Sequence, residues 1–118
     1  RIIALIYKKC ESLQVDSVAI ALPDAALFAV SVDDLAEQTV IAMQMAAYHF
    51  TDYITDESRT KKYVTNVMLC GTSTQAALDR ASIIAQAVNQ TRHWIDLPPS
   101  DLTPPALADK AADIAKQY

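Results

Sequence analysis

An α/β fold, with helices flanking a sheet of parallel strands, is the fold class the sequence predicts, and three observations predict it. Segments with apolar residues at helical spacing alternate with two short runs rich in apolar and β-branched residues. Each run ends at a residue that stops a strand, Pro23 in the first case and Gly71 soon after the second. The composition, 52% hydrophobic and 20% charged over 118 residues, is that of a globular domain with one modest core. Two strands alone do not make a stable sheet, so further strands are expected to precede Arg1.

Taken in order, Ile2, Leu5, Ile6 and Cys10 predict a helix over residues 2–13, and "VDSVAIAL" predicts a buried strand over 15–22. Ser31 or Asp33 is the expected cap of a second helix reaching residue 53. Ala36, Val40, Met43, Ala47 and Phe50 form its main stripe, and Ile41, Met45 and Tyr48 lie off it. A helix apolar nearly all round is covered on more than one side, by a sheet plus a second layer or by a subunit interface. The polar stretch "TDESRTKK" reads as a turn and "YVTNVML" as a second strand over 63–69.

Thr72 and Gln75 stand at capping-box spacing before a long helix that runs to about residue 94. Ala77, Ala81, Ile84, Val88, Thr91 and Ile95 are its expected apolar face. Pro98 and Pro99 make residues 97–103 a stiff, non-helical connector and mark a boundary. Thr103 and Pro104 then start a last helix, because the Thr hydroxyl accepts an orphan N–H and Pro has none to leave unpaired. Its apolar positions, Leu107, Ala111, Ile114 and Tyr118, need a partner to bury them, and none follows in the chain. The chain therefore reads as a fragment cut within a second domain.

Composition also excludes functions. The net charge of −4 and the absence of any basic cluster beyond Lys8-Lys9 and Lys61-Lys62 argue against nucleic acid as a partner. Gly71 is the only glycine, so a P-loop, a dinucleotide fingerprint and a GXXG clamp are all missing. No signal peptide or membrane-length apolar run is present, and the two cysteines, Cys10 and Cys70, sit in apolar surroundings as free thiols. A cytoplasmic location without membrane association is expected.

Two histidine-carboxylate pairs stand at helical spacing, His49 with Asp52 and His93 with Asp96. A zinc or manganese site needs more convergent ligands than either pair supplies, and no HExxH, paired-cysteine or GxSxG pattern accompanies them. The pairs read as structural. No catalytic, cofactor-binding or metal-binding residue is assigned within this chain.

The residues "RHWIDLPPSDLTPPALADKAADIA", from Arg92 to Ala115, resemble the domain junction of the leucyl aminopeptidase (cytosol aminopeptidase) family. There a helix ending in Arg leads to an Asn-x-Pro-x-Asn-like turn, then "LTP" and an Ala-rich helix. Upstream, "AYHFTDY" is similar to that family's "YrFdrY" helix end, and "AALDRASIIAQAVNQTR" to its linker helix. The order and spacing agree over roughly residues 33–118. Asp96 and Ser100 stand where the family usually has Asn, and the common glycine before "YrFdrY" is missing.

The resemblance implies a cytoplasmic, hexameric metallo-aminopeptidase in which two divalent ions, zinc or manganese, activate water to release N-terminal residues such as leucine from peptides. The metal ligands and the charge-stabilising Lys and Arg of that family would lie beyond Tyr118. It further implies that residues 1–73 are the C-terminal part of a macro-domain-like N-terminal domain, 74–96 a linker helix and 97–118 the start of the missing catalytic domain. The competing expectation is a stand-alone macro-like ligand-binding or oligomerisation module. Glycine poverty weighs against an ADP-ribose ligand, and net acidity against DNA.

Overall fold

The computed structural model of the chain describes residues 1–55, 63–71 and 73–117. Helix α1 (Ile2–Ser12) leads to strand β1 (Ser17–Ala21), a 3-10 turn (Ala25–Phe28), helix α2 (Val32–Ala46), strand β2 (Asn66–Cys70) and the helices α3 (Gln75–Asp96) and α4 (Pro104–Gln117). The two strands pair in parallel, from Ser17 opposite Asn66 to Ala21 opposite Cys70. Helix and strand therefore alternate as an α/β fold requires, with α2 forming the crossover between the strands. Among the described residues the sheet has two strands.

Period-two alternation puts Val18, Ile20 and Leu69 on the inner face of the sheet, where Tyr7 of α1, Met43 of α2 and Val64 close the core. Ala19, Ala21, Met68 and Cys70 point the other way and are exposed. Cys70 is thus not the buried small hydrophobe its flanking sequence suggests, because the strand's alternation turns it outward; Cys10 is half-buried, and both thiols are free. Gly71 fits a close approach, since a Cβ there would stand 3.0 Å from Leu22 Cδ1 and 3.3 Å from Leu22 Cβ. The glycine serves strand-end packing.

Helix α1 ends in a Schellman-type turn. The amide of Val15 reaches Cys10 O at 3.4 Å and that of Gln14 reaches Glu11 O at 3.0 Å, with Gln14 held at φ 56°. Helix α2 starts at Ser31, whose hydroxyl accepts the amide of Asp34 at 3.0 Å. Asp33, the other candidate cap, instead accepts both the amide and the hydroxyl of Thr74, at 2.8 and 2.9 Å. Thr74 in turn caps α3 by accepting Ala77 N at 3.3 Å, while Gln75 bonds Asp79 rather than closing a capping box. Thr72 and the Lys61-Lys62 turn lie outside the described residues.

Helices α2 and α3 run parallel and side by side. Asp33 meets Thr74, Glu37 meets Arg80 at 3.1 Å, Gln44 meets Asn89 and Met45 meets Arg92, so partners advance along both helices together. The seam is made of small residues: Ala77, Ala81 and Ala85 of α3 are fully buried, with Ala36 of α2 equally so. This i, i+4 row differs from the expected face, which drifts to Ile84 and Ile95; those two are 42% and 75% exposed. Alanine wins because a short side chain lets the backbones approach closely enough for the polar pairs along the seam to form.

Helix α2 is covered within one chain, by α1, α3 and the sheet, and most of its length is at least half-buried. It ends at Ala46, seven residues before the expected end. The reason is tertiary capping: Asn89 donates to Gln44 O at 2.9 Å and Arg92 to Met45 O at 2.8 Å, satisfying carbonyls that a further helical turn would have used.

The connector is non-helical as its prolines require, with Asp101 N and Leu102 N turned back onto Pro98 O at 2.9 and 3.0 Å. Thr103 caps α4 by accepting Ala106 N at 3.4 Å. The half-buried side of α4 follows Ala106, Lys110 and Ile114, whereas Leu107 and Ala111 of the expected stripe are exposed, and Tyr118 lies outside the described residues. No described helix is long and apolar enough to cross a membrane.

The alanine seam makes a quantitative prediction. Ala81→Leu should cost about 1–3 kcal/mol in urea denaturation by forcing the helices apart, while Ile84→Ala should change stability by less than about 0.5 kcal/mol. Equal effects would place the buried face on the isoleucine row instead.

Candidate functional site

Polar and aromatic side chains concentrate where the segment after α2 crosses the C-terminal half of α3. The early end of α2 frees residues 47–55 from helical geometry, and their side chains then reach across to α3 and the connector. Tyr48 donates its hydroxyl to Asp96 Oδ2 at 2.7 Å while the Arg92 guanidinium lies 4.3 Å over its ring. Phe50 packs against His93, with ring centroids 5.5 Å apart, and Tyr53 donates to Asp101 of the connector. His93 Nε2 stands 3.4 Å from Asp52 Oδ2.

A second cluster ties the same segment to α1. His49 Nε2 lies 2.5 Å from Glu11 Oε1 and 3.4 Å from Lys8 Nζ, and Lys8 also bonds Glu11 at 3.0 Å. The Tyr63 ring lies against the imidazole at 4.4 Å between centroids. Neither sequence pairing of histidine and carboxylate survives. His49 joins Glu11 instead of Asp52, and Asp52 joins His93, whose own neighbour Asp96 is taken by Tyr48. Helix α2 ends at Ala46, before His49, so the three-residue spacing does not put His49 and Asp52 on one helical face.

The electrostatics follow from these contacts. Burial would raise the Glu11 carboxyl, but the hydrogen bonds and charges of His49 and Lys8 outweigh it and hold Glu11 below the ordinary glutamate value. Hydrogen bonds from the Thr74 amide and hydroxyl keep Asp33 low, and those from the Tyr53 and Ser100 hydroxyls keep Asp101 low. Tyr48 is pushed up to about 12, first by loss of water around its hydroxyl and then by the bond to Asp96. Tyr53 is pushed to about 12 by its bond to Asp101.

What this arrangement does chemically is to fasten three elements together. A histidine-carboxylate pair does general base work on any proton within hydrogen-bond reach, whether of a side chain, a water or a substrate. Among the described hydrogen bonds, no serine hydroxyl or cysteine thiol reaches His49 or His93. Among the described residues no three His, Cys, Asp or Glu side chains converge on one point. Sequence reasoning missed Lys8, Glu11, Tyr48, Tyr53 and Arg92 because their partners are 38 to 48 residues away, apart from the local bond between Lys8 and Glu11.

No protein-family model matches the chain, and no curated protein matches it.

The depressed carboxyls fix the direction of pH dependence. Glu11, Asp33 and Asp101 each titrate lower in the folded state than in the unfolded chain. Their contributions are complete above the unfolded carboxylate range, about pH 4, and are lost as pH falls through the folded values. Urea midpoints should therefore drop between about pH 5 and 2, and Glu11→Gln should flatten that drop. An identical acid limb in the variant would show that Glu11 carries none of it.

Proposed function

We propose that this chain is the leading, non-catalytic portion of a dimetal leucyl aminopeptidase that releases N-terminal amino acids from peptides. In this reading residues 1–73 are the later part of a macro-domain-like N-terminal domain, 74–96 the linker helix and 97–118 the entry to the catalytic domain. The observation that carries the reading is the hand-over at the end of α3. This 22-residue helix is packed on α2 from its cap at Thr74 to Arg92, and its C-terminal end leads through the Pro98–Pro99 turn to α4.

At the rise of an α-helix, α3 spans about 33 Å, enough to carry the chain from one domain to another. The Tyr53 bond to Asp101 and the Tyr48–Arg92–Asp96 group set the direction in which the chain leaves. Helix α4, with Leu107 43% exposed, offers an apolar side to a neighbouring body. These features match the order of helix end, linker helix, "LTP" turn and Ala-rich helix on which the family resemblance rests. The parent's two zinc or manganese ions, its charge-stabilising Lys and Arg and its hexameric assembly would come from outside residues 1–118. No catalytic role is given to any residue of this chain.

The test is made on the natural protein that contains these residues. Peptide mass mapping should find a further domain after Tyr118 with Lys, Asp and Glu clustered for two metals. That protein should hydrolyse leucine p-nitroanilide, lose the activity to a chelator and regain it with zinc or manganese. The isolated 118-residue chain should hydrolyse none. A natural protein without leucyl anilide activity under either metal would overturn the proposal.

A further inference from the structure

Away from the α2 seam, the outer side of α3 carries two rows of side chains at i, i+4 spacing, Ile83, Ala87 and Thr91 in one and Gln86, Gln90 and Trp94 in the other. The connector turns the chain back, and Ile114 near the end of α4 reaches these rows. Together they line a cleft of about 260 Å³ between the two helices.

The groups that meet there differ from those of an ordinary solvated helix face, which is rich in charge. No side chain lining the cleft is charged. Trp94 is the single tryptophan of the chain, and it stands half-buried in the cleft wall. Its ring offers a flat surface on which a second aromatic ring can stack and shed water.

The polar groups of the cleft are unspent. Thr91 is already bonded to Ala87 O at 2.9 Å, and nearby Asn89 to Gln44 O at 2.9 Å. Among the described residues no hydrogen bond engages the Gln86 or Gln90 carboxamide or the Trp94 indole N–H. Each carboxamide presents a donor and an acceptor side by side. A ligand that answers both while laying a flat face on the indole is a neutral heteroaromatic with an amino group near a ring nitrogen. Adenine has that chemistry, since a carboxamide donates to its N7 and accepts from its N6.

Size and charge narrow the class. The cleft, at about 260 Å³, falls below the roughly 300–1,000 Å³ of sites for drug-sized ligands, so it takes one ring system. No cation lines it to hold a phosphate, which leaves the base and not the nucleotide as its occupant.

We infer that the cleft between α3 and α4 is a binding site for a free purine base of the adenine type, stacked on Trp94 and hydrogen-bonded along its edge by Gln86 or Gln90. A base in that position also touches Ile114 and so holds α4 against α3. The inference is independent of the aminopeptidase reading.

Adenine titrated to about 5 mM into the 118-residue chain tests this. Binding is followed by tryptophan emission, excited at wavelengths longer than the purine absorbs, and by the NMR shifts of the indole and carboxamide N–H groups. The expected result is a saturable change in both. Replacing Gln86 and Gln90 together, Gln86→Ala with Gln90→Ala, should weaken binding about tenfold and leave the circular dichroism unchanged, because both side chains are exposed. Purine, the same ring without the amino group, should bind at least about threefold more weakly than adenine. Ile84→Ala, on α3 outside the cleft, should leave adenine binding as it was. A quench that rises linearly without saturating overturns the inference, and so does equal binding of purine and adenine. AMP binding more than about tenfold tighter than adenine overturns the neutral chemistry. Saturable binding that disappears in the longer natural protein also overturns it, since the cleft would then be a surface that a further domain covers.

Discussion

The rest of the structure depends on how closely α3 can approach α2. Ala77, Ala81 and Ala85 present almost nothing between the two backbones, and Ala36 answers them from α2. That approach brings Glu37 within reach of Arg80, Gln44 within reach of Ser82 and Asn89, and the Met45 carbonyl within reach of Arg92. A larger residue in the seam would separate all these pairs at once. The parallel direction follows from the chain path, because β2 returns the chain to the end of the sheet from which α2 set out.

The two ends of the seam are closed by different means. At the N-terminal end the Asp33 carboxylate takes two hydrogen bonds from Thr74, the same residue whose hydroxyl caps α3, so one threonine joins both helix starts. At the other end Asn89 and Arg92 finish α2 by binding its last carbonyls. Ending α2 there releases Tyr48, His49, Asp52 and Tyr53 to fasten α1, α3 and the connector. The polar cluster is therefore a consequence of the helix termination, and its contacts fasten the elements around it.

Much of this was legible in the residues themselves. Apolar periodicity marks α1, α2 and α3, Thr103-Pro104 marks the start of α4, and the β-branched runs mark both strands. What could not be read was anything decided between elements. The end of α2 is set by side chains more than forty residues away, while local pattern favours continuing the helix to Tyr53. The buried face of α3 is chosen by closeness of approach, which favours alanine over isoleucine, whereas a hydrophobicity count favours the reverse. His49 and Asp52 illustrate the same limit, since their spacing matters only on a helix that has ended before reaching them. The tie between Asp33 and Thr74 also hides from local reading, because Asp33 already has a plausible local role as a cap.

The functional reading rests on the same architecture. A body built on the α2–α3 seam ends in a helix that the seam does not hold, and the proposed function rests on that helix. Native-state hydrogen exchange on the 118-residue chain tests the seam most directly. The slowest amides should lie in α2 around Thr39 to Met43 and in α3 from Leu78 to Ala85, with α4 exchanging far sooner. If α3 exchanged together with α4, and α1 with the two strands outlasted both, the seam would not be the element on which the fold depends.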